Sequence, residues 1–164
     1  MAINWQPHLT GDLLELKPLR ESDFENLYKV GSDPLIWEQH PDRYRYKREL
    51  FKKYFESALQ SKGGLLILDR STGEVLGCSR FHDHDVANNQ IFVGYTFLAR
   101  KCWGKSYNKE LKKLMLEHAF KHVDNILFLI GINNIRSRKA IEKIGATLKN
   151  QDESSLIYKI TKTT

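Results

Sequence analysis

A chain of 164 residues that is 41% hydrophobic and 28% charged suits one ordinary domain, and it excludes both a disordered and a membrane-embedded polypeptide. At this length roughly 68–70% of the unfolded surface is buried on folding, so neither a disulfide nor a metal is needed to hold a core. The net charge of +6 suits a polyanionic or phosphorylated partner, but the lysines are scattered, so a merely basic surface explains it equally well.

From Met1 to Leu19 the chain is broken by Pro7, Gly11, Asp12 and Pro18, which fits no secretory leader, and no run approaches the roughly 20 apolar residues of a membrane span. Cys78 and Cys102 make neither a disulfide framework nor a ligand spacing and read as reduced thiols. A cytoplasmic protein, one domain over residues 1–164, is the expectation.

Leu13 to Lys17 reads as a first strand ended by Pro18. Ser22 and Glu25 have the spacing of a capping box, followed by Phe24, Leu27, Tyr28 and Val30 as an apolar stripe and Gly31 as a stop. Pro34 and Pro41 keep the segment 35–46 irregular. Leu50, Phe51, Tyr54, Phe55, Ala58 and Leu59 then recur at helical spacing, predicting a second helix that ends near Gly63. Leu65 to Leu68 and Val75 to Phe81 form a hairpin about Ser71-Thr72-Gly73. A polar connection from His82 to Gln90 leads to the strand Ile91 to Leu98. After Gly104 comes a helix carrying Leu111, Leu114, Met115, His118, Ala119 and Val123 on one side. Ile126 to Ile132 suits a buried strand, Asn134 to Ile144 a helix stopped by Gly145, and Leu148 and Ser155 to Ile160 closing strands. The expected class is a mixed α/β (α+β) domain.

The chemistry concentrates between Leu98 and Glu110. A strand ends, a basic turn follows and a helix opens, and the first amides of a helix lack internal partners and carry partial positive charge. Such a terminus seats a phosphate or pyrophosphate, and Lys101, Lys105 and Lys109 add charge around it, although an ordinary turn has the same form.

The stretch Leu98-Ala99-Arg100-Lys101-Cys102-Trp103-Gly104-Lys105-Ser106-Tyr107-Asn108-Lys109-Glu110 resembles the acetyl-CoA loop of the GNAT acetyltransferase superfamily. It is nearest the branch of the ribosomal-protein N-terminal acetyltransferases, where Trp-Gly-Lys-Gly-Tyr opens this helix. Trp103 stands at the family's Gln/Arg position, and Ser106 and Asn108 stand where small glycine-like residues are usual. A second stretch, Asn134-Ile135-Arg136-Ser137 through Ile144-Gly145-Ala146, is similar to the family's Asn-x-x-Ser segment.

The resemblance implies the GNAT fold, with a mixed central sheet of about seven strands and about four helices. It also implies acetyl transfer to a primary amine by direct attack in a ternary complex, with acetyl-CoA as co-substrate and no metal. Leu98, Trp103, Gly104, Lys105, Ser106, Tyr107, Asn108 and Asn134 would hold the cofactor, and Ser137 would meet the departing thiolate unless it is only a cap serine. The amides ending the Ile91–Leu98 strand would polarise the thioester carbonyl.

Two family residues are missing: Phe92 replaces the usual basic glutamate and Ile141 the usual acidic tyrosine. Tyr107 and Tyr158 do not stand in matching places. The connection between the first two helices commonly lines the acceptor pocket, which makes Trp37 a wall, Glu38 a catalytic or cation-binding carboxylate and His40 a substrate contact, against a solvated loop. His82-Asp83-His84-Asp85 reads first as a solvated hairpin, then as acceptor rim, then as metal ligands, because strand alternation puts only every second residue on one face. His82 is the best base of the four.

The acceptor is a small molecule or a protein N-terminus, and the molecule a monomer or homodimer. One rival is an inactive acyl-CoA-binding regulator of the same fold. A more remote one is an RNA-binding module stacking bases on Tyr44, Tyr46 and Tyr54, though no nucleic-acid motif is present.

Overall fold

The computed structural model describes residues 2–163. Its strands are β1 (Leu9–Thr10), β2 (Leu14–Pro18), β3 (Gly64–Asp69), β4 (Val75–Asp85), β5 (Gln90–Leu98), β6 (Asn125–Gly131), β7 (Thr147–Gln151) and β8 (Ser155–Thr161). The helices are α1 (Phe24–Gly31), α2 (Arg48–Gln60), α3 (Tyr107–Ala119) and α4 (Ile135–Lys143). All eight strands form one sheet in the order β1-β2-β3-β4-β5-β6-β8-β7, antiparallel except for the β5–β6 pair. The expected seven strands become eight because β1, only two residues long, pairs with β2.

Each face of the sheet carries its own core. Strand alternation sends Leu14, Leu16, Leu65, Ile67, Ile91 and Ile126 against Leu111, Met115 and Ala119 of α3. Leu66, Leu68, Cys78 and Phe97 face the other way, onto Leu27 of α1 and Phe51, Tyr54, Phe55 and Ala58 of α2. The stripe read from α2 is therefore its buried face, except for Leu50, which is exposed.

Three local expectations are corrected. Ser22 caps nothing: a 3-10 turn over Glu21–Asp23 precedes α1, and the Asp23 carboxylate accepts from the Arg20 N–H at 2.8 Å. The connection after Phe81 is not loop, since β4 runs on to Asp85. Finally, α3 runs from Tyr107 to Ala119, so Val123, expected on its stripe, lies beyond its end.

Candidate functional site

The parallel β5–β6 pair is short. Gln90, Ile91 and Phe92 pair with Asn125, Ile126 and Leu127, and beyond Phe92 the two strands share no further register pair. Their C-terminal halves part, leaving an open strand edge between β5 and β6. An edge with unpaired amides and carbonyls inside a sheet is a seat for an extended ligand.

At the end of this opening β5 is deformed. Cys78 pairs with Phe97 but Arg80 pairs with Gly94, so two steps on β4 answer three on β5, a bulge at Tyr95–Thr96. Tyr95 holds φ +53°, a conformation costly for a bulky side chain. The bulge is tied on both faces. The Tyr54 hydroxyl donates to the Tyr95 carbonyl at 2.5 Å, and Lys112 Nζ donates to Thr96 Oγ1 at 3.0 Å, which lies 2.7 Å from Ser79 Oγ. Lys112 is buried, among the described residues no carboxylate pairs with it, and desolvation pushes its pKa down to about 8.

Past β5 the chain makes a 3-10 turn, Arg100–Cys102, and then the exposed residues Gly104, Lys105 and Ser106 before α3. Gly104 has φ +71° with nothing near the place of a Cβ, so it supplies a left-handed turn with open space beside it. Ser106, at φ −79°, needs no glycine, and its side chain makes no cap bond, which leaves its hydroxyl and the first α3 amides outward. Lys101 pairs with Glu74 and Arg100 with Asp33, whereas Lys105 and Lys109 have no ion pair among the described residues. Tyr107 and Asn108 are half-buried in the first turn. Trp103 folds back so that Nε1 donates to the Leu98 carbonyl at 3.1 Å.

Glu110, unnoticed in the sequence reading, fixes this loop. Its carboxylate accepts from the N–H groups of Asp12, Leu13 and Leu14 at 2.9, 2.8 and 2.7 Å, tying the start of α3 to β2. Nothing in the sequence marks a partner almost a hundred positions away.

On the other side of the opening, Asn134 is buried as the cap of α4, its Oδ1 accepting from the Ser137 N–H at 3.4 Å. Ser137 is half-buried, and among the described residues its hydroxyl makes no hydrogen bond. Arg136 stacks on Trp103, its Cζ 3.6 Å from the ring centre, while its Nη2 donates to the Ile36 carbonyl and its N–H to Gln39 Oε1. Pro41 lies so close over Gly131 that a Cβ there would collide with it. The α1–α2 connection thus lies across the ends of β6 and α4.

Of the residues expected there, Trp37 is 2% exposed and packs in the core; its Nε1 donates to the Gly31 carbonyl, and His40 and Arg45 rest against its ring. Glu38 is exposed, near enough to Arg136 to support its charge. His40 Nδ1 accepts from the Asp42 N–H, and burial, helped by Arg45, pushes its pKa down to about 4, so the ring is neutral.

His82 lies on β4 against β5. Its ring stacks on Phe92 at 5.2 Å and meets Tyr95 edge-on at 5.1 Å, and Nε2 faces the backbone at Gly94. Nδ1 is 2.5 Å from the Asp83 carboxylate. Neighbours in a regular strand point to opposite faces, but a register shift between His82 and Asp85 and φ +53° at Asp83 turn the carboxylate back to the ring. Burial lowers the His82 pKa, partly opposed by Asp83. His84 turns instead to the other core face, 5.2 Å from Trp5. Among the described residues no three His, Cys, Asp or Glu groups gather to hold an ion.

The other candidates lie elsewhere. Ile141 is core, and Tyr158, whose hydroxyl donates to Glu142 at 2.6 Å, is buried. Tyr54 is buried too and offers no base-stacking platform. Among the described residues no helix is long and apolar enough to cross a membrane.

Comparison with known proteins bears on the fold. Residues 14–147 match the family model of the acetyltransferase (GNAT) domain. A GCN5-related N-acetyltransferase from Brucella melitensis superposes with a TM-score of 0.79 at 17% identity, covering 95% of this chain and 79% of that one. RimJ from Mycobacterium smegmatis, solved in complex with CoA-disulfide, gives 0.74 at 16% identity over 98% and 90%. A Vibrio cholerae protein provisionally described as a ribosomal-protein-serine acetyltransferase gives 0.77 at 10% over 98% and 100%. Identities this low speak to fold, and the fold is the one implied by the two sequence motifs.

Proposed function

The chain belongs to the GNAT acetyltransferase family, and on that premise we propose that it is an N-acetyltransferase moving an acetyl group from acetyl-CoA to a primary amine by direct attack in a ternary complex. The observation that carries the reading is the parting of β5 from β6 after Phe92, with the amide loop at Gly104–Ser106 at one end and His82 at the other. The loop's outward amides, its open space at Gly104 and the uncompensated Lys105 and Lys109 fit a pyrophosphate. Leu98, Trp103, Tyr107 and Asn108 line the approach, and Asn134 and Ser137 take the thioester end.

In this reading His82 is the general base. Nε2 receives the ammonium proton, directly or through one water, while Asp83 holds the Nδ1 proton and so fixes the tautomer. The amine nitrogen forms the new N–C bond, and the carbonyl oxygen is steadied by β5 amides beside the bulge. As the C–S bond breaks, the sulfur leaves with its electron pair, the Ser137 hydroxyl donates a hydrogen bond to it, and the second proton of the amine nitrogen passes through water to the sulfur. His82 stacks on Phe92, the residue that stands where the family's glutamate is usual, and in this reading takes over its role. Glu38 and His40 form the rim through which the acceptor enters.

We place the protein in the cytoplasm, as one domain over residues 1–164, taking its thiols as reduced; Cys78 and Cys102 are both free and buried. The test is release of free thiol from acetyl-CoA across a panel of amines. Turnover with at least one amine supports the proposal. Calorimetric binding of acetyl-CoA with no turnover on any amine would instead favour a regulator, the reading suggested by Phe92 and Ile141.

A further inference from the structure

The acceptor side of the bulge carries more positive charge than the protein neutralises. Arg80, on β4, is 3% exposed. Its guanidinium lies 3.8 Å from the centre of the Tyr95 ring and 5.2 Å from that of Tyr54. One of its bonds is known, Nη2 to the Tyr54 carbonyl at 3.1 Å, while Nε is buried with no partner. Among the described residues no carboxylate lies within ion-pair distance of it. Arg45 sits 4.8 Å from the same Tyr54 ring, with Nη1 likewise buried and unpartnered; its ion pair is with the largely exposed Asp42. Desolvation lowers the Arg45 pKa, and the nearby Arg80 charge adds to the fall.

A buried guanidinium with orphaned N–H groups is destabilising unless something accepts from it. Aromatic faces recover part of that cost but cannot accept along the N–H direction. The Tyr95 ring, 43% exposed, lies over the Arg80 guanidinium and meets His82 edge-on, so access to the guanidinium on this face would come through rotation of that ring.

We infer that Arg80 and Arg45, beside Tyr54 and Tyr95, form an anion subsite for the acceptor, so that the amine acetylated carries a carboxylate or similar anionic group a few bonds from its nitrogen. The short reach follows from placement, since the Arg80 guanidinium and the His82 ring both rest against the one Tyr95 ring. A planar fork with free donors suits a carboxylate, and loss of the anion leaves those donors unpaired, which is a stronger discriminator than lost apolar contact. The inference rests on the acceptor face assigned above, and the experiment separates the two.

Succinate and succinamide are titrated calorimetrically into the full-length protein without any amine. Separately, amines are compared in carboxylate and carboxamide pairs, β-alanine with β-alaninamide and the amidated dipeptides Ser-Glu with Ser-Gln. The expected results are saturable heat for succinate alone, and kcat/KM higher by about tenfold or more for the acidic member of a pair. Arg45→Gln, in the more exposed arginine, should shrink both differences, and Arg80→Lys, which keeps the charge but not the fork, should weaken succinate. β-Alanine preferred over the acidic dipeptide would mark a free amino acid, and the reverse an acidic peptide. Succinate binding without turnover of any amine would leave the subsite standing and remove the transferase. Acidic and amidated acceptors used equally well, with no succinate heat, would overturn the subsite and leave the transferase.

Discussion

At the residue level the decisive contact joins neighbours that a regular strand would hold apart. His82 reaches Asp83 because Asp83 adopts φ +53° beside a register shift. The burial that lowers its pKa keeps its imidazole neutral at pH 7. His82→Gln should therefore lower kcat by about 10²- to 10⁴-fold, the usual contribution of a positioned base. The base form is lost only as pH falls through that lowered pKa, so wild-type kcat/KM should stay flat through neutral pH and begin its slope-one fall only below the ordinary histidine range. Asp83 raises the His82 pKa, so Asp83→Asn should carry the acid limb to lower pH as well as slow the reaction. A pH–rate profile of the three proteins reads both effects, and a limb that does not move on losing Asp83 would place the base elsewhere. Gly104 supplies a simpler case. A Cβ there meets nothing, so Gly104→Ala is expected to cost only the left-handed backbone, about 1–2 kcal/mol, seen as a raised KM for acetyl-CoA with kcat little changed.

At the scale of single elements, α3 is fixed by two groups that helical periodicity cannot disclose. Its stripe of Leu111, Met115 and Ala119 was legible, because burial and a 3.6-residue period are the same fact seen twice. Glu110 and Lys112 flank that stripe and read as solvent residues, yet the first binds three amides of the β2 entry and the second is sealed behind the bulge. The β1 strand was missed because two residues carry no alternation, and the His82–Asp83 pair because alternation itself fails at a bulge. Arg80 did leave a signal, the one charge between Val75 and Phe81 and in step with Cys78. Glu110→Gln replaces a charged acceptor with a group that also turns N–H toward N–H. The expected loss is about 1.5–3 kcal/mol in urea denaturation, together with weaker acetyl-CoA binding as the loop loosens. For Lys112 the sign is the reverse. The unfolded side chain keeps its proton to about 10.5, the folded one only to about 8. Between those values the unfolded state binds more protons, so stability rises with pH by about 3 kcal/mol. Lys112→Met should abolish that rise, and denaturation at pH 7, 8.5 and 10 would show wild type and variant converging; parallel curves would mean that Lys112 is not the buried cation.

Across the whole molecule, the sheet is two plates joined by a short seam. Strands β1 to β5 and strands β6, β8 and β7 meet through the Gln90–Phe92 and Asn125–Leu127 register alone, while the rest of β5 and β6 stand apart. The core on the α3 face spans both plates, taking Ile91 from one and Ile126, Phe128 and Leu156 from the other. The core on the α1–α2 face draws on the β3–β5 side. A molecule seated along the parted edges would therefore add contacts where β5 and β6 leave each other unpaired. Any ligand that binds the folded state alone stabilises it by mass action, about 2.7 kcal/mol at a hundredfold excess over its Kd. For a chain of this length that corresponds to a rise in Tm of about 5–10 °C with saturating acetyl-CoA. Mass action alone is blind to location, so the discriminating measurement is amide exchange. Bound acetyl-CoA should slow exchange most along residues 93–98 and at the amides of Lys105, Ser106 and Tyr107, with a smaller effect on the already paired residues 125–127. A Tm rise without protection at those edges would show that the molecule binds elsewhere, and the parted strands would then be a property of the sheet rather than a seat for the thioester.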